Sequence, residues 1–110
     1  MELNIIDRIY IPSILPAKNT FMDFNMKQEI LKKVTITPND IEKYSIKEDK
    51  ENNRTTWDIK KDHENPLIVD FSKQELDYLK IACEKLTDKP APDALWATVE
   101  KIYKAVQEVK

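Results

Sequence analysis

Glycine is absent from this chain of 110 residues, where average usage near 7% would place about eight. That absence removes several site architectures together. A dinucleotide-binding G-x-G-x-x-G, a phosphate-cradling P-loop, a G-x-S-x-G nucleophile elbow and a standard EF-hand loop all need glycine. Each depends on backbone that turns with φ > 0 or admits a ligand closely, and glycine does both at the least steric cost. Cysteine occurs once, at Cys83, so the chain forms no intramolecular disulfide and a reducing compartment is expected. Histidine also occurs once, at His63. A zinc site would have to draw two of its four ligands from carboxylates, at no recognised spacing.

Charge of one sign is lacking too. The 18 basic and 20 acidic side chains leave a net charge of −2. The balance is +1 over residues 1–35, −2 over 36–66 and −1 over 67–110. Nucleic-acid binders carry a basic stripe or segment, because neutralised phosphates drive their affinity. No segment here is basic, and only Arg8 and Arg54 could offer the planar fork that reads phosphate or guanine in two places. Apolar runs such as Ile9-Tyr10-Ile11 fall far short of a membrane span. Met1-Glu2-Leu3-Asn4 lacks the basic and apolar regions of a signal peptide. A cytoplasmic location is the expectation.

What is present fits one domain spanning residues 1–110, with 41% hydrophobic and 35% charged residues. Apolar positions 3, 6, 9, 10 and 14 share a helical face, with Asp7, Arg8 and Ser13 elsewhere. A helix over about 3–15 is expected, kinked or divided by Pro12 and stopped by Pro16. Thr20 caps a second helix, about 21–33, carrying Phe21, Met22, Phe24, Met26, Ile30 and Leu31, with Lys27, Lys32 and Lys33 outward. Thr37-Pro38-Asn39-Asp40 opens a short helix.

Tyr44-Ser45-Ile46-Lys47 and Thr55-Thr56-Trp57-Asp58-Ile59 alternate in polarity as strands do. They predict a hairpin over about 44–59, with Tyr44, Ile46, Trp57 and Ile59 on one face and Asn52-Asn53 at the tip. Asparagine is the best non-glycine residue for φ > 0. Leu67 to Phe71 reads as a third strand. Ser72-Lys73-Gln74-Glu75 is a capping box. It starts a helix over about 73–87 with Leu76, Leu79, Cys83 and Leu86 on one stripe. After the linker Asp88 to Pro92, a last helix over about 93–109 places Leu95, Trp96, Val99, Ile102, Tyr103, Val106 and Val109 on a wide stripe fit for a core or a dimer. The expected fold is α+β: a three-stranded antiparallel sheet, the hairpin plus 67–71, with helices at both ends.

No residue pattern assembles a catalytic, cofactor or metal site. His63 lies in a polar, aperiodic connector, Lys61 to Asn65, and Cys83 lies on an apolar stripe where a thiol behaves as a small hydrophobe. Asp70, Glu75 and Asp77, and Asp49 and Glu51, read as solvated surface, Glu75 being occupied by its cap. Tyr10, Tyr44, Trp57, Phe71, Tyr78, Trp96 and Tyr103 mostly fall on inward positions. Trp57 and Trp96 are the candidate interface residues, because tryptophan dominates contact hot spots. Elimination therefore favours a non-enzymatic protein acting through protein–protein contact or as a homo-oligomer, with no small-molecule substrate or membrane partner. The alternative is a nucleic-acid-associated accessory module built on Lys27, Lys32, Lys33, Lys60 and Lys61.

Leu3-Asn4-Ile5-Ile6-Asp7-Arg8 running to Ser13-Ile14-Leu15-Pro16, then Ile36-Thr37-Pro38 with Asp40-Ile41-Glu42-Lys43-Tyr44, then Thr56-Trp57-Asp58, form a recognisable order. In that order the chain resembles small uncharacterised bacterial proteins, many carried on phages or prophages. The resemblance implies an accessory factor of that kind and brings no catalytic residue. Those proteins usually place glycine in the hairpin turn, where this chain has Asn52-Asn53.

Overall fold

The computed structural model describes residues 1–108, so the expected helical position Val109 lies outside the described residues. Helix and strand are mixed, as anticipated, but the helices dominate. In chain order the elements are β1 (Glu2–Leu3), α1 (Ile5–Ile14), α2 (Phe21–Val34), α3 (Pro38–Lys43), β2 (Lys47–Asp49), β3 (Arg54–Thr56), α4 (Ile59–Glu64), β4 (Leu67–Ile68), α5 (Lys73–Glu84) and α6 (Asp93–Glu108).

The three-stranded sheet is replaced by two separate two-stranded ladders. β2 pairs with β3 (Lys47 with Thr56, Asp49 with Arg54), and β4 pairs with β1 (Leu3 with Leu67, Glu2 with Ile68). The hairpin is shorter than 44–59 for local reasons. Ser45 takes φ 52°, which breaks an extended run at that point, and Tyr44 is the C-cap of α3. On the other side Asp58 turns the chain into α4 by accepting the Lys61 N–H at 3.1 Å. Ile59, expected to face inward, is instead 74% exposed at the start of that helix. The expected strand 67–71 contracts to Leu67–Ile68 and pairs with the amino-terminal segment, with the Val69 N–H donating to the Met1 carbonyl at 2.9 Å. Residues 2–3 are thus strand, not the first turn of a helix, and the ladder takes up backbone groups that burial would otherwise leave unpaired.

The helices start where side chains can hold their free N–H groups. Thr20, Thr37 and Ser72 each accept from the backbone N–H three residues on, and Glu75 returns the bond to the Ser72 N–H at 2.7 Å. Each such cap is worth about 1 kcal/mol. α1 keeps Pro12 inside its last turn, where only one backbone bond is forfeited. No helix is long and apolar enough to cross a membrane, among the described residues.

α1 is the centre of the molecule. It packs on α2, α5 and α6, while α5 packs on α2 and α6. Leu3, Ile11, Ile30, Val34, Leu79, Cys83 and Ile102 are almost wholly buried in one cluster, each large side chain contributing about 1.5–3 kcal/mol. Covered by three helices, α1 does not follow the single face expected of it. Ile5, Asp7, Arg8, Ile11 and Ile14 are its buried residues, and Ile6, Ile9 and Tyr10 are only half-buried. Asp7 and Arg8, expected off the apolar face, are inside.

Candidate functional site

Four of the buried polar residues are structural ties. Asp7 accepts from the Thr98 hydroxyl at 2.6 Å, the Lys101 ammonium at 2.5 Å and the Asn4 N–H at 2.9 Å, joining α1 to α6. Arg8 donates to the Val34 carbonyl at 3.0 Å, the Thr35 carbonyl at 2.6 Å and the Asp40 carboxylate at 2.7 Å. Burial of Asp40 opposes its ionisation, but bonds from Arg8 and Thr37 outweigh that and hold its pKa at about 2. Asp62 accepts the Ile5 N–H at 2.9 Å and so caps α1 from α4. Glu75, expected on the surface, is buried and takes the Lys33 ammonium at 2.6 Å. Its burial penalty is overcome by Lys33 and Ser72, and its pKa is lowered. No buried side-chain nitrogen or oxygen lacks a partner among the described residues.

The residues weighed for chemistry lie apart from one another. Burial, aided by Glu84, pushes the Cys83 thiol up to about 12, so it is not a thiolate nucleophile at neutral pH. His63 is exposed on α4, at the edge of a shallow cleft shared with Lys101 and Lys104. Asp70 and Asp77 are exposed, and Asp49 spends its carboxylate on the Glu51 and Asn52 N–H groups of the hairpin turn. Among the described residues no three His, Cys, Asp or Glu side chains are grouped to hold a metal ion.

The interface candidates are both half-buried. Trp96 packs on the main core from the first turn of α6, whereas Trp57 sits between β3 and α4. Of the five lysines considered for nucleic acid, Lys27 donates to the Pro16 carbonyl, Lys32 pairs with Glu29, and Lys33 is spent on Glu75 and the Asp70 carbonyl. Lys60 and Lys61 are exposed on α4.

The most open apolar surface is elsewhere, on the first turn of α2. Phe21 and Met22 are 77% and 80% exposed, and Phe24 is 46% exposed. Beside this turn runs a groove of about 670 Å³ between α2 and α5, with Met26, Tyr78, Ile81 and Ala82 in its wall. Met22 stands one turn before Met26 and shares its face. The Tyr78 hydroxyl donates to the Asn19 side chain at 2.6 Å, and burial, then the Asp23 charge, raises its pKa.

In the sequence these residues read as helix and not as a site. The signal was in their spacing. Successive helical residues are about 100° apart, so Phe21, Met22, Phe24 and Ile30 point in too many directions for one buried stripe. Only Ile30 and Val34 of α2 are buried. Comparison with protein-family models, curated proteins and solved structures returns no match.

Proposed function

We propose that this chain is a non-enzymatic cytoplasmic protein that acts through protein–protein contact, an accessory factor of the phage or prophage kind it resembles. The exposed first turn of α2, with the adjoining groove, is the contact surface in this reading. The observation that carries it is the exposure of Phe21 and Met22 at 77% and 80%. Adjoining exposed apolar side chains favour a contact site over the scattered exposure that any folded surface carries. Ile81, 53% exposed, stands on the wall of the adjoining groove. The buried polar groups, by contrast, all serve the fold.

The test compares the wild-type chain with Phe21→Ser/Met22→Glu as bait in a quantitative pull-down, after circular dichroism shows both folded. Proteins retained by the wild type and lost by the variant are expected. Identical captured sets would sink this surface. The nucleic-acid alternative has less behind it, since Lys27, Lys32 and Lys33 are engaged within the protein. Absence of DNA or RNA binding at low ionic strength would remove it, because phosphate contacts strengthen as salt falls.

A further inference from the structure

We infer that residues 37–65 form a strap that opens from the amino end of α1 as one unit, while the body of α1, α2, α5 and α6 stays folded. The strap is a different part of the chain from the contact surface on α2, and its opening does not depend on that surface.

The strap holds α3, β2, β3 and α4, and it is closed on itself through Tyr44. The Tyr44 N–H donates to the Asp40 carbonyl and the Ile46 N–H to the Ile41 carbonyl, which finishes α3. The Asp58 N–H then donates to the Tyr44 carbonyl at 2.7 Å, bringing the start of α4 to the end of α3. The Tyr44 hydroxyl donates to the Asn65 carbonyl, so the far end of α4 is fastened to the same residue. Tyr44 is itself buried, 3% exposed. A buried tyrosine bonded through both its backbone and its hydroxyl ties α3, the base of the hairpin and α4 into one piece.

Its attachment to the body is of another kind. Among the described residues, none of 37–65 belongs to the main buried cluster or to the partly buried apolar side chains packed on it. α1 packs on α2, α5 and α6, whereas α3, β2, β3 and α4 make no comparable contact with any of these helices. Three hydrogen bonds cross from the strap to the body, among the described residues, and all reach one end of α1. The Asp62 carboxylate accepts the Ile5 N–H at 2.9 Å, and its carbonyl accepts from the Asn4 side chain at 3.4 Å. The Asp40 carboxylate accepts from Arg8 at 2.7 Å. One latch therefore stands on α4 and the other on α3, and both close on residues 4–8.

Water can take the place of a broken polar bond but not of apolar packing, so the latches give way before the core does. Ile36 and Pro66, outside any helix or strand, are where the chain turns as the strap swings.

Native-state hydrogen exchange on the full chain, followed residue by residue by NMR, tests this. The amides of Tyr44, Ile46, Asp58 and Asn65 are expected to share one opening free energy, below that of the α5 amides of Leu79 and Cys83. Asp62→Ala should speed exchange at Tyr44 and Ile46, on the α3 side, by the same factor as at Asn65, about tenfold. Ile102→Val trims the core, where Ile102 is wholly buried. It should speed exchange at Leu79 and Cys83 by about fivefold and leave the four strap amides unchanged, because the strap opens without breaking the core.

Separate opening energies for the four strap amides, or an Asp62→Ala effect confined to α4, overturns the single unit. Strap amides that Ile102→Val accelerates as much as those of α5 open only with the whole chain, which overturns it too. An Asp62→Ala chain that fails to fold has the same force, since the body would then need the strap. Each of these results leaves the pull-down with Phe21→Ser/Met22→Glu, and the reading it tests, untouched.

Discussion

Arg8 is 4% exposed and spends its guanidinium on two carbonyls at the end of α2 and on the Asp40 carboxylate. The end of a helix leaves carbonyls without intrahelical partners, and a planar fork of donors suits them better than an ammonium does. Arg8→Ala would strand those carbonyls and leave the Asp40 charge unmatched, which should cost about 3–5 kcal/mol. Arg8→Lys should recover less than half of that loss, as read from urea midpoints. A full rescue by lysine would show that charge alone matters.

Asp40 makes the same tie visible in the acid range. Its pKa falls from 3.8 unfolded to about 2 folded, so its contribution is complete above about pH 4 and is lost as the pH drops towards 2. Because the side chain is partly solvated, the term is about 1–2 kcal/mol. Asp40→Asn should therefore lower Tm at pH 6 and bring the two proteins closer at pH 2. A constant difference across that range would assign Asp40 a role unrelated to its charge.

At the scale of elements, local chemistry placed the capped starts of α2, α3 and α5 and misjudged the strands. Ser72 with Glu75 and Thr37 with Asp40 are readable because a cap lies within one turn of the residues it serves. α4 was hidden in a polar connector: six residues, no apolar stripe, and only Asp58 as a start signal. The hairpin tip was legible, and Asn53 does hold φ 52°. Asn53→Gly should accordingly be neutral or stabilising by up to about 1 kcal/mol, since glycine takes that conformation without a Cβ penalty. A clear loss in a thermal melt would mean that the asparagine side chain matters more than its backbone angle. Ser45 was not legible, because a serine at φ 52° gives no sign in sequence.

For the whole molecule, stability should be uneven. β2 and β3 are exposed along their full length, whereas α1, α5 and α6 share the buried cluster. Native-state hydrogen exchange should find the hairpin amides opening far below the global unfolding energy, and those of α1 and α5 close to it. Asp7 links the beginning of the chain to Thr98 and Lys101 near its end. Asp7→Ala should cost about 1–3 kcal/mol, because Lys101 keeps the Asn4 side chain and Thr98 the Ala94 carbonyl, and should speed exchange in both α1 and α6. Faster exchange confined to α1 would show that the tie does not hold the two helices together.

The sequence by itself determined the elements whose signals are local: the capped starts of α2, α3 and α5, the apolar stripe of α5 with Cys83, and the tip at Asn53. It also ruled out the phosphate loops that need glycine. Tertiary structure alone decided which strands pair, that Asp7 and Arg8 are inside, and that Phe21 and Met22 are left outside. Those outcomes depend on how many neighbours surround a helix, and on which distant backbone can meet an unpaired N–H. Helical periodicity fixes which residues share a face, but not how many faces other elements will cover.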